Sequence, residues 1–269
     1  MTVQNHPERR KKRSVAVYVA LRALVVACMI GQAIRGNFDS SFLCLVALIL
    51  LMLPTILQKR LRIELPGVLE IIIGFFILSG TVLGEIFNFY GNFPHWDTML
   101  HTINGFLCAA VGFALVDLLN RNSKNIFLSP LYIALAAFCF SMTVGVCWEF
   151  FEHGMDRILL LDMQKDTIVT IISTVNLDPL QDNNAIVIDG IASTVLYGAD
   201  GGVLAVIDGG YLDIGIRDTM KDLFVNFIGA VVFSIFGFFY VKNRDKYTFA
   251  KHFIPEKVEG KLHRDARNV

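Results

Sequence analysis

The sequence predicts an all-α membrane protein, a helical bundle of about six spans with a small extracytoplasmic β-ribbon inserted between spans 5 and 6. The first observation is composition, because 54% of the 269 residues are hydrophobic and only 18% are charged. Soluble domains have about 45–50% apolar and about 25% charged residues. The second is the presence of apolar stretches of about 20 residues, the length that crosses a hydrocarbon core of roughly 30 Å. The third is the alternation of Lys and Arg between the connecting segments.

The apolar stretches define the predicted spans. They are Ser14–Ile34, Phe38–Leu57, Gly67–Phe89, Thr98–Leu119, Phe127–Phe151 and Thr219–Val241. Arg22 lies about two turns inside the first span, where an ionisable side chain needs a partner or must extend to the interface. We expect Glu70 or Asp117 to be that partner. Asp117 and Arg121 are spaced i, i+4 and are predicted to pair on the inner side of the membrane.

The basic residues predict the orientation of the chain. Eighteen of the 24 Lys and Arg residues lie before span 1, between spans 2 and 3, between spans 4 and 5, and after span 6. The positive-inside rule therefore places both termini in the cytoplasm of a bacterium, with the protein in its inner membrane. The predicted parts are a basic N-terminal segment (1–13), a transmembrane domain (14–241) and a basic tail (242–269). The overall charge of zero excludes a nucleic-acid binder that relies on bulk positive charge.

The segment between spans 5 and 6, residues 157–217, is predicted to form an acidic extracytoplasmic loop. From Glu149 to Asp222 the chain has 13 acidic and four basic residues. Thr167–Val175 and Ala185–Leu196 are rich in β-branched residues and are bounded by Asn, Asp, Pro and Gly. These runs predict a ribbon of two or three strands, with Gly201–Ile207 as the third.

Polar side chains cluster where several spans end. Span 4 opens with Asp97, His101 and Asn104; span 5 closes with Glu149, Glu152, His153 and Asp156; span 6 opens with Asp218, Asp222 and Asn226. Within each group the spacing places the side chains on one stripe of the helix. Spans 4 and 6 run inward and spans 3 and 5 run outward, so every cluster is predicted at the outer end. Glu85 and Asn88 add a smaller pair at the end of span 3.

Imidazoles and carboxylates at this spacing favour a divalent metal site. The predicted ligands are His101, Glu152, His153 and Asp222, and the ion could be Zn, Mn, Ca or Mg. The predicted catalytic residues, which orient groups or act as bases, are Asp97, Glu149 and Asp218. Acidic residues in a first helical turn also interact favourably with the helix dipole, so Asp97 and Asp218 could be caps instead.

A site at the outer ends of the spans lies at the depth of the lipid headgroups. The leading functional hypothesis is therefore a metal-dependent hydrolase or transferase that acts on a lipid-linked or phosphorylated headgroup. One alternative is a transporter or channel coupled to cations or protons, because packed carboxylates suit proton-coupled transport. The other is an assembly or sensor protein that uses the exterior ribbon.

Three motifs carry a family resemblance. WDTMLHTINGF, WEFFEHGMD and DTMKDLFVNFIGA occur in this order at the span ends. The region from about Gly67 to Tyr240 resembles the YjdF-like family of uncharacterised bacterial polytopic membrane proteins. The resemblance implies a multi-span helical fold and no particular activity. It also implies one group of six residues, Asp97, His101, Glu149, Glu152, Asp218 and Asp222.

Overall fold

The helices account for most of the structure. A computed structural model describes residues 6–61, 63–123, 125, 127–244, 246 and 256–257. Its α-helices are α1 (His6–Ile34), α2 (Phe38–Leu61), α3 (Gly67–Leu78), α4 (Phe89–Asn92), α5 (Trp96–Asn122), α6 (Pro130–Leu159) and α7 (Ile216–Lys242). Six helical segments in this part of the chain are long and apolar enough to cross a membrane. They are Val15–Ile34, Phe38–Arg60, Gly67–Ile86, Trp96–Arg121, Pro130–Leu159 and Ile216–Lys242, which confirms the six predicted spans.

The third span ends earlier than predicted because its helix changes type. α3 continues into a π-helix over Ser79–Ile86. Asn88 then adopts a left-handed conformation with a φ of 53°, and the chain turns into the short helix α4. The indole Nε1 of Trp96 donates to the Ser79 carbonyl oxygen at 3.4 Å, which connects the start of α5 to this π-helix.

The fifth span is longer than the predicted Phe127–Phe151. Ser129 caps its start, since its hydroxyl oxygen accepts from the Tyr132 amide at 3.2 Å and Pro130 occupies the first helical position. The 30 residues of α6 extend about 45 Å at 1.5 Å per residue. Near its other end, the Asp156 carboxylate accepts from the amides of Met163 and Gln164 at 2.6 and 2.9 Å. This interaction secures the chain that follows the last helical turn.

The described chain divides into two compact units, residues 1–145 with 223–269, and residues 146–222. The first unit contains two clusters of buried apolar side chains. One joins α1, α2 and the third span: Tyr18, Leu21, Val25, Cys44, Ala47, Leu51, Ile77, Leu78 and Val82. The other joins α5, α6 and α7: Ala109, Ala110, Phe113, Ile133, Ala137, Ala230, Phe233 and Tyr240. Its small residues let the helices approach closely, which favours van der Waals packing inside a membrane.

The contacts of Arg22 differ from the predicted ion pair with Glu70 or Asp117. Its Nη2 donates to the Leu51 carbonyl oxygen at 2.8 Å, and its guanidinium lies 5.6 Å from the centre of the Tyr18 ring. Pro54 lies inside α2 and has no N–H, so the hydrogen bonding of this turn is incomplete. An arginine from the neighbouring helix thus donates to a carbonyl of α2 three residues before this proline.

Neither predicted carboxylate pairs with Arg22. The Glu70 carboxylate accepts from Gln58 Nε2 at 2.6 Å. Asp117 pairs with Arg121, as its i, i+4 spacing predicted, and also with Arg244. The expected pairing of Arg22 with Asp117 or Glu70 is therefore wrong, because other donors on nearby elements bind these carboxylates.

The second unit contains six short strands in three separate antiparallel pairs. β2 (Ile168–Val169) pairs with β7 (Tyr211–Leu212), β3 (Ile172–Thr174) with β4 (Ile186–Ile188), and β5 (Ser193–Tyr197) with β6 (Val203–Asp208). In the first unit, β1 (Ile63–Glu64) pairs with β8 (Glu256–Lys257). The predicted β-ribbon between spans 5 and 6 is confirmed, but it has six strands in three pairs where two or three strands were predicted. The run Ala185–Leu196 is broken at Gly190, whose φ of 71° is not compatible with a continuous strand.

Candidate metal centre

Two glycines of the first unit mark a close contact between α5 and α7. A Cβ atom added to Gly105 would lie 2.8 Å from the carbonyl carbon of Asn226, and one added to Gly229 would lie 2.9 Å from the Phe106 amide nitrogen. Real Cβ atoms essentially never approach other atoms so closely. The two glycines therefore let the backbones of α5 and α7 touch.

Two asparagine side chains form a hydrogen bond across the contact between α5 and α7. Asn104 Nδ2 donates to Asn226 Oδ1 at 3.1 Å, and Asn226 is only 1% exposed. α6 is also bonded to α5, because the Ser141 hydroxyl donates to the Gly105 carbonyl oxygen at 2.8 Å. Hydrogen bonds between polar side chains stabilise helix association in a membrane. The register between α5 and α7 is thus set by backbone contact and by a side-chain hydrogen bond.

The candidate ligands lie one or two helical turns before the asparagines on the same helices. On α5, His101 Nε2 lies 3.4 Å from Asp97 Oδ1, as the i, i+4 spacing predicts. On α7, Asp222 comes one turn before Asn226 in the same unbroken helix and is 1% exposed. One ligand atom from each of Asp97, His101 and Asp222 lies within 4.8 Å of the others. These side chains form the one group of at least three metal-binding residues found in the described part of the chain.

The donor set consists of one imidazole and two carboxylates. Three nitrogen and oxygen ligands suit Zn, Mn or Fe, and a set with no fourth protein ligand leaves coordination positions open. Two ionised carboxylates would match the charge of a divalent cation. Lys221 also lies close, because its Nζ is 3.6 Å from Asp222 Oδ1 and 2.8 Å from Asp218 Oδ1. This ammonium group offsets part of the negative charge near Asp222.

Asp218 has a local structural role. Its carboxylate accepts from the Lys165 amide at 2.9 Å and from the Lys221 ammonium at 2.8 Å. It therefore ties the start of α7 to the preceding loop. Asp97 also occupies the first turn of its helix, but it is a member of the candidate ligand group.

Three of the predicted site residues, Glu149, Glu152 and His153, lie on α6. Glu149 and Glu152 are buried, and Trp148 Nε1 donates to Glu152 Oε1 at 2.8 Å. His153 is exposed, with its Nδ1 3.1 Å from Gln164 Oε1. Of the four predicted metal ligands, the three-residue group contains His101 and Asp222.

Sequence reasoning missed the residues that set the helix spacing, namely Gly105, Gly229 and Ser141. A glycine in the middle of an apolar helix was the available signal, because such a residue has a packing reason more often than a conformational one. Lys221 lies inside the predicted sixth span, Thr219–Val241, and is not among the predicted site residues. Its position one residue before Asp222 was the signal that it could contribute charge to the site.

Comparisons with known proteins agree with the membrane fold. A family model described as "Predicted membrane protein (DUF2238)" matches residues 16–243. A Thermotoga maritima protein described as "Uncharacterized protein" is 26% identical over 106 residues, which are 39% of this chain and 53% of that protein. The chain thus spans about half the length of this relative. No solved structure matches the chain. The family match covers most of the chain and confirms the predicted resemblance to multi-span membrane proteins, so the chain belongs to the DUF2238 family of membrane proteins.

Proposed function

We propose that this multi-pass membrane protein binds a divalent metal ion through Asp97, His101 and Asp222. The observation that carries the proposal is the convergence of three ligand atoms within 4.8 Å from α5 and α7. The close backbone contact at Gly105 and Gly229 supports it, because a metal site needs ligands held by rigid neighbouring elements.

The proposed location is a bacterial cytoplasmic membrane, with both termini inside and this site outside. The distribution of Lys and Arg supports this orientation, since the cytoplasmic loops of membrane proteins carry the excess of basic residues. Asp97 is the second residue of α5 and Asp222 lies in the second turn of α7. Both positions are near span ends, at the depth of the lipid headgroups.

The proposed reaction is hydrolysis of, or group transfer to, a lipid-linked or phosphorylated headgroup. A divalent ion at this site would polarise a phosphoryl oxygen or activate water. Asp97, one turn before His101 on α5, would supply a carboxylate ligand beside the imidazole. Lys221 would hold negative charge of the substrate near Asp222, because its ammonium group is partly exposed and lies beside that carboxylate.

The packing below the site favours a binding site over a transport path. One turn deeper, the Asn104 and Asn226 amides bond to each other, and the backbones of α5 and α7 meet at Gly105 and Gly229. A permeation path between these two helices would require them to separate at backbone contacts. This arrangement supports a site with a closed inner side.

The test is elemental analysis of folded protein purified without chelators or metal affinity resin. We expect close to one metal ion per chain in the wild type and loss of the metal in His101→Ala and Asp222→Asn. His153→Ala tests the ligand set predicted from the sequence and should retain the metal, because His153 contacts Gln164. Absence of metal from folded wild-type protein would contradict the proposal and favour transport or partner binding. Loss of metal only in His153→Ala would instead support the sequence-predicted ligands.

A further inference from the structure

A second charged cluster lies where α5 ends and just beyond α7. The Asp117 carboxylate is fully buried, at 0% exposure. Arg244 donates to both of its oxygens, from Nη1 at 3.1 Å and from Nη2 at 2.5 Å. Arg121 Nη2 lies 3.0 Å from Asp117 Oδ2. All three residues belong to the first compact unit.

The charges of this cluster do not balance. Two guanidinium groups face one carboxylate, so the cluster of these three side chains has a net charge of +1. Each guanidinium has five N–H donors, and Asp117 occupies only a few of them. The side chains of Arg121 and Arg244 are 41% and 31% exposed. Both guanidinium side chains are therefore partly accessible at the surface while their shared carboxylate is not.

The orientation of both arginines is restrained. Asp117 contacts both guanidiniums, and the Arg244 guanidinium also lies 5.2 Å from the centre of the buried Tyr240 ring. A restrained pair of planar guanidiniums loses less conformational entropy on binding a ligand than two free side chains do. Planar guanidiniums match the oxygens of a phosphate group in bidentate fashion.

We propose that Arg121 and Arg244 form a binding site for the phosphate group of an anionic membrane lipid, with Asp117 as a positioning residue. Arg121 is the second-last residue of α5, and Arg244 follows the end of α7 by two residues. These positions lie at the end of the spans, where lipid phosphates lie. Basic sites between transmembrane helices at this depth bind lipid headgroups. The site is separate from the proposed metal centre and does not depend on it.

The test uses the full chain in a neutral detergent and measures binding of fluorescent phosphatidylglycerol, with phosphatidylcholine as the uncharged comparison. Arg121→Gln should weaken phosphatidylglycerol binding roughly tenfold or more, the effect of losing a charge-assisted hydrogen bond. Arg121→Lys should bind with intermediate affinity, because it keeps the charge and loses the guanidinium fork. Arg244 still pairs with Asp117 in both variants, so the buried carboxylate keeps a partner.

Arg60→Gln is the matched control, since Arg60 is an exposed arginine in the last turn of α2. Its loss should change the affinity less than about twofold, as expected for a screened surface charge. Equal losses in Arg60→Gln and Arg121→Gln would overturn the site and indicate nonspecific attraction. Unchanged binding in Arg121→Gln would overturn it as well. Inorganic phosphate serves as competitor: binding of phosphate without binding of phosphatidylglycerol would overturn the lipid as the source of the phosphate group.

Discussion

The contact at Gly105 gives the sharpest test of how helix packing controls the candidate metal site. In Gly105→Ala, the new methyl carbon would lie 2.8 Å from the Asn226 carbonyl carbon and closer still to the carbonyl oxygen. Ordinary contact begins at 3.4 Å, so the carbonyl carbon alone is 0.6 Å too close. Because the obstacle is backbone, a side-chain rotation cannot relieve the clash. We expect α5 and α7 to separate by at least this amount.

The expected effect on metal binding follows from the ligand distances. Ligand–metal bonds of about 2.0–2.2 Å allow two ligand atoms on opposite sides of an ion to be about 4.4 Å apart at most. The candidate atoms lie within 4.8 Å of one another, so all three reach one ion only if α5 and α7 keep close to their present separation. We expect Gly105→Ala to weaken metal binding roughly 10–100-fold, as the loss of groups that position ligands does. Overpacking should also destabilise the fold by about 1–3 kcal/mol.

The assay combines equilibrium dialysis against a metal series with thermal unfolding in one detergent. Gly31→Ala is the matched control, because it adds the same methyl group to a membrane-spanning helix and meets nothing within 4 Å. This control should bind metal normally and be as stable as the wild type or slightly more stable, since alanine favours helix over glycine by about 1 kcal/mol. Normal metal affinity in a folded Gly105→Ala protein would refute the argument that the α5–α7 contact sets the site.

Three further predictions concern other parts of the molecule. The pKa of Asp166 is raised by burial and by nearby carboxylates, chiefly that of Asp162. The folded state therefore disfavours ionised Asp166, and this cost is present at neutral pH and absent at a pH below about 3.9. Asp166→Asn should raise the thermal midpoint at neutral pH only, and a decrease there would contradict this sign. The pKa of Asp178 is lowered because backbone amides, chiefly that of Asn184, donate to its carboxylate. Its stabilisation is present above about pH 3.9 and is lost as the pH falls through the lower folded value. Asp178→Ala should accelerate hydrogen exchange of the Asn184 amide at neutral pH, and unchanged exchange would argue against the contact. Arg22→Glu should lower the folded yield, because it replaces the donor to a backbone carbonyl with a buried negative charge; size-exclusion chromatography measures the yield, and a wild-type value would contradict the role of this bond.

Local patterns made the helices and their polar stripes predictable. Each span is a continuous apolar stretch, and its hydrophobicity does not depend on which helix lies beside it. The spacing of Asp97 and His101 places them on one face of α5 in any helical packing, and the structure finds them in contact. The same local reasoning predicted the pairing of Asp117 with Arg121. It placed the strands between spans 5 and 6 but not their number or pairing, because pairing between short segments depends on turns such as the one at Gly190.

Only the tertiary structure decided which polar stripes meet. Helical periodicity determines the face on which a side chain lies, but it contains no information about the neighbouring helix or its distance. Six spans can be packed in many ways that keep every polar cluster at one end. Contacts at Gly105 and Gly229 bring α7 against α5, so Asp222 joins His101, whereas His153 lies beside Gln164. Selection among these arrangements depends on backbone contacts within about an ångström, which residue spacing along one chain cannot specify.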